Sequence, residues 1–111
     1  MIGVTGISPL ISDTELVTDG STTVYSFNMN GFSDGAIILL AVSLVNSSTS
    51  HCSYLLSIHK QNNIGASVTT LSSKVFNGLA MTFSATYTTL TITLNTPIVG
   101  NLKIAPLLMN L

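Results

Sequence analysis

The chain has 111 residues, enough for one domain with a real core, and its composition is 46% hydrophobic but only 6% charged. With three lysines, no arginine and a formal net charge of −1, it lacks the basic footprint that binding to nucleic acid phosphates or an anionic membrane surface requires. Low net charge weakens repulsion between copies and favours self-association.

In chain order, Met1–Thr5 carries neither a positive charge nor a long apolar run, so no secretory signal is expected there. Residues 3–11 are expected to form a strand or a linker packed on a neighbour. Asp13, Glu15 and Asp19 make a small acidic cluster that lacks the closing glutamate of a helix–loop–helix calcium site. No metal and no cofactor is expected. Residues 25–29 alternate as a strand. Ala36–Val45 is the strongest apolar run, and ten residues cannot cross about 30 Å of hydrocarbon as a helix. It is expected to be a buried strand, with no membrane insertion.

His51-Cys52 suggests a thiol–imidazole dyad, but neighbours in a strand point to opposite faces. The lone cysteine is expected in the core, beside a turn histidine. Tyr54–Ile58 alternates as another strand, and His59-Lys60-Gln61-Asn62-Asn63 is expected to be the polar tip of a hairpin. His59, Lys60, Gln61 and Asn62 are therefore candidate ligand contacts. His51 and His59, eight residues apart, would share a face but lie about 26 Å from one another, too far to share a metal.

Val68–Leu71 is a weaker strand, and Ser72–Asn77 is expected to hold one helical turn at most. Residues 81–84 and 89–95 are strands. In the second, Leu90, Ile92 and Leu94 alternate strictly with threonines, the pattern of a half-buried antiparallel strand. Tyr25 and Tyr54 read as core-facing. Tyr87, flanked by Thr86 and Thr88, reads as an exposed turn aromatic and a candidate ligand contact. The last strand, Leu102–Met109, contains Pro106, which has no N–H to donate, so an edge position or a bulge is expected there. Its apolar end, with Leu107, Leu108, Met109 and Leu111, is a candidate oligomer interface.

Asp-Gly, Asn-Gly and Gly-Asn pairs punctuate these runs at strand-like spacing. The expectation is one all-β domain over residues 1–111, an antiparallel β-sandwich or jelly roll of seven to nine strands, with residues 1–19 as a linker or first strand. Too few acids, bases and nucleophiles converge to suggest an enzyme.

The texture of residues 53–58, 65–73, 79–84 and 89–95, alternating strands in a background of 30 serines and threonines, resembles the small β-sandwich domain at the C-termini of bacteriophage tail fibres and tailspikes. The likeness covers residues 20–111, with Ala36–Val45 as the central strand. It implies a homotrimeric virion component at the end of an appendage, touching other virion proteins and host-surface polysaccharide. Those domains close longer chains, whereas this sequence opens with methionine, as a separate subunit, an internal-start product or an excised domain would. The alternative is a standalone carbohydrate-binding or adhesin-like sandwich of cellular origin.

Overall fold

The computed structural model describes residues 13–29, 35–47, 49–61 and 65–110. Among these residues eight antiparallel strands follow one another: β1 (Thr14–Val17), β2 (Val24–Asn28), β3 (Ile37–Ser47), β4 (Ser50–Gln61), β5 (Gly65–Phe76), β6 (Met81–Ala85), β7 (Thr89–Leu94) and β8 (Asn101–Asn110). They build a five-stranded sheet in the order β1-β8-β3-β4-β5 and a three-stranded sheet in the order β2-β7-β6. The all-β sandwich expected from the period-two pattern is the fold observed.

Alternation fixes which face each strand buries. Along β3, Ile38, Leu40, Val42 and Leu44 are buried, while the residues between them are only partly covered. Cys52, Leu56 and Ile58 of β4, with Leu102 and Ile104 of β8, extend the same layer. Opposite lie Met81, Leu90, Ile92 and Leu94 from the small sheet, joined by Phe27 and Phe83. Tyr54 ties the layers together: its ring meets Phe83 edge-on at 4.9 Å, and its hydroxyl accepts the Met81 N–H at 2.9 Å.

The apolar run at 36–45 is the central strand β3, paired with β4 on one side and β8 on the other. Pro106 does sit at a bulge, where the register slips between Leu39 and Leu40 and Leu107 is the extra residue. The strand is not at an edge, however, because β1 pairs with Asn101–Ile104 on its far side. The helical turn expected at 72–77 is also corrected: Ser72–Phe76 continues β5, which is bulged at Leu71 where its pairing slips between Leu55 and Leu56. Chain reversal waits for Asn77 and Gly78, both with positive φ (57° and 72°), which carry the chain into the small sheet.

One tight junction closes the β1 end. The Gly100 N–H donates to Thr18 Oγ1 at 2.8 Å, Thr18 Oγ1 donates to the Ile98 carbonyl at 2.5 Å, and the Thr18 N–H donates to the Gly100 carbonyl at 2.9 Å. A Cβ on Gly100 would stand 2.7 Å from the Val45 carbonyl oxygen, so only glycine permits this approach of β8 to β3.

Candidate functional site

Two of the expected contact residues are brought together, though not as a hairpin tip. Residues 52, 54, 56, 58 and 60 form the inward series of β4, and this puts Lys60 on the core side. Its side chain is only 1% exposed. The expectation of a polar hairpin tip is therefore corrected for this residue, which is a buried member of β4. Burying an ammonium is costly unless it is engaged. Lys60 Nζ donates to the Met29 carbonyl and lies 4.4 Å from the centroid of the Tyr87 ring.

Tyr87 belongs to the turn between β6 and β7, as expected, but it is half-buried rather than exposed. That turn is braced by Thr86, whose N–H donates to the Thr89 carbonyl at 2.8 Å and whose Oγ1 accepts the Thr89 N–H at 3.2 Å. Met29 is held from both sides. Its N–H donates to the Thr88 carbonyl of the small-sheet turn at 2.8 Å, and its carbonyl accepts from Lys60 of the large sheet. The Lys60–Met29–Tyr87 cluster thus pins the two sheets together at one end of the sandwich.

The other candidates lie apart from this cluster. His59 and Gln61 are exposed members of β4, and Asn62 lies outside the described residues. His59 pairs with Ile37 and Ser67 on the outer face of the large sheet. His51 shares that face but sits in β4 rather than in a turn, its ring 4.3 Å from Phe76. Cys52 is buried and free, and burial pushes its thiol pKa up, which keeps it protonated and a poor nucleophile. Of the expected interface residues, Leu107 is 60% exposed, the side chains of Leu108 and Met109 are not described, and Leu111 lies outside the described residues.

In the acidic cluster, the Asp19 carboxylate is taken up by its own turn. Its Oδ1 accepts the N–H groups of Ser21 and Thr22 at 2.8 and 2.6 Å, and its Oδ2 accepts the Thr22 hydroxyl at 2.6 Å. Those bonds, the Thr22 hydroxyl first, hold its pKa well below the usual carboxylate range. Among the described residues, no group of three or more His, Cys, Asp or Glu is placed to hold a metal ion. Nor is any helix long and apolar enough to cross a membrane.

One hollow of about 330 Å³ is lined by Ser26, Phe27, Asn28, Thr88 and Thr89, next to the Tyr87 turn. The sheet face beside it is uncharged and mostly hydrogen-bonding, with Ser26, Asn28, Thr82, Ser84, Thr91 and Thr93 outward and Val24 as its apolar member.

The larger surface is the outer face of the five-stranded sheet, and pairing places its residues in rows. Ala41 of β3 lies between Leu55 of β4 and Ala105 of β8, while Leu39 and Ile37 stand opposite Ser57 and His59 of β4. A polar row follows, in which Glu15, Lys103, Ser43, Ser53 and Lys74 stand side by side across all five strands. Beyond it, Val17, Val45 and Phe76, respectively 67%, 42% and 40% exposed, share the last row with Asn101 and His51.

No family model, no curated protein and no solved structure matches the chain.

Proposed function

We propose that the chain is a non-catalytic assembly module of a virion appendage, of the tail-fibre or tailspike kind, that works as a homotrimer in contact with other virion proteins. The observation that carries this reading is the mismatch between the two layers. Strands β3, β4 and β5 are 11 or 12 residues long, whereas the small-sheet strands have five or six. The small sheet therefore covers only part of the large one, and β5 is exposed from Thr69 to Phe76 on both faces. In a nearly uncharged chain, such surplus sheet is a surface for association. Light scattering coupled to size exclusion is expected to return three times the 11.6 kDa chain mass. A mass of one chain at micromolar concentration refutes the reading.

A second reading rests on the neutral hollow beside Tyr87. Serine, threonine and asparagine groups on an uncharged surface suit the hydroxyls of a glycan better than an ionic ligand, which supports recognition of host-surface polysaccharide or, in the cellular alternative, a standalone carbohydrate-binding domain. Glycan-array binding that is lost in Asn28→Ala supports it, and no binding to any neutral glycan refutes it.

A further inference from the structure

We infer that the outer face of the five-stranded sheet is the surface on which a second copy of this chain docks. The inference rests on the assembly reading above and names the surface it uses.

Three features favour a second copy as the occupant. The first is size. The molecule measures 39 × 25 × 22 Å, and the face is spanned by four strands of 10–12 residues, β8, β3, β4 and β5, with the four-residue β1 along part of one edge. That is on the order of 800 Å², the area each partner contributes to a standard stable interface. The second is composition. Leu39, Ala41 and Leu55 on one side, and Val17, Val45 and Phe76 on the other, form two largely apolar bands, interleaved with Ser57, Asn101 and His51, on either side of the charged row. Within that row Glu15 stands directly opposite Lys103 and Lys74 lies at the far end, so the row carries charges of both signs that a second copy can complement. The third is the state of the competing surface. The β5 edge carries a bulge at Leu71, which discourages strand addition. Among the paired residues of the face, charge is confined to that one row, and none of the other described strands packs across it.

The test uses the full chain and three charge insertions followed by sedimentation velocity at micromolar concentration. Leu39→Glu and Val45→Lys place a charge in one apolar band each, and Thr91→Glu places one on the opposite, hydroxyl-lined face. Circular dichroism and a cooperative melt establish that each variant is folded. If either band variant is folded, it is expected to sediment as a single chain, while Thr91→Glu keeps the mass of the unmodified protein. An oligomer unaffected by both band substitutions overturns this inference and leaves the assembly reading standing. An unmodified protein that is already a single chain overturns both, and association appearing only after deletion of residues 1–12 would assign the face to that segment instead. Should Leu39→Glu fail to fold, Val45→Lys decides alone, since Val45 is 42% exposed and its replacement leaves the core intact.

Discussion

Replacing Thr18 by valine tests the junction that closes the β1 end, because the side chain keeps its shape and loses only its hydroxyl. Thr18 is 1% exposed, and its Oγ1 receives the Gly100 N–H at 2.8 Å while donating to the Ile98 carbonyl at 2.5 Å. In Thr18→Val the Gly100 N–H stays buried without that acceptor, and the carbonyls it served lose a donor. No water takes the place easily, since glycine is present at 100 to let the β3 backbone come close. An unsatisfied buried donor costs about 1–3 kcal/mol, which puts the loss at about 2 kcal/mol. With an unfolding entropy of about 2.1 cal/mol/K per residue, that lowers Tm by about 9 °C. Urea denaturation followed by circular dichroism measures it, with the midpoint falling and the slope unchanged. A loss below about 0.5 kcal/mol refutes the assignment of those bonds to stability, since surface substitutions already span that range.

Lys60→Met removes the donor to the Met29 carbonyl and is expected to cost about 1–3 kcal/mol in urea denaturation. In a double-mutant cycle with Tyr87→Leu, a coupling of about 0.5–2 kcal/mol is expected from the ring 4.4 Å away, and strict additivity contradicts the contact. Asp19 has a folded pKa below its ordinary value of 3.8, so its contribution is present above that value and is lost as pH falls below it. Asp19→Asn should therefore lower Tm near neutrality and flatten its fall on acidification, and a parallel fall in both proteins argues against the turn. The Cys52 thiol, buried and raised in pKa, should react with a thiol reagent only in denaturant, and rapid labelling of the native protein contradicts its position.

Much of the architecture was legible because periodicity reports which face a residue occupies. Leu90, Ile92 and Leu94 are buried as their alternation with threonine requires, and Pro106 marks a real bulge. Periodicity does not report neighbours, so nothing local announced that β8 lies between β1 and β3. Ser72–Phe76 was misread because a strand exposed on both faces needs no apolar alternation and leaves only a run of small polar residues. Lys60 was misread for the opposite reason. Its charge outweighed the even-numbered series from Cys52 to Ile58, which, carried one step further, places it inside. Of the candidate site, the pairing of Lys60 with Tyr87 joins residues 27 positions apart, and only the packing of the two sheets brings them together.

The central claim is that this chain acts through association with its own kind, and sedimentation equilibrium of the unmodified protein tests it most directly. From micromolar to millimolar concentration, the account predicts a reversible assembly whose limiting mass is three times 11.6 kDa. A single species at 11.6 kDa throughout would contradict it.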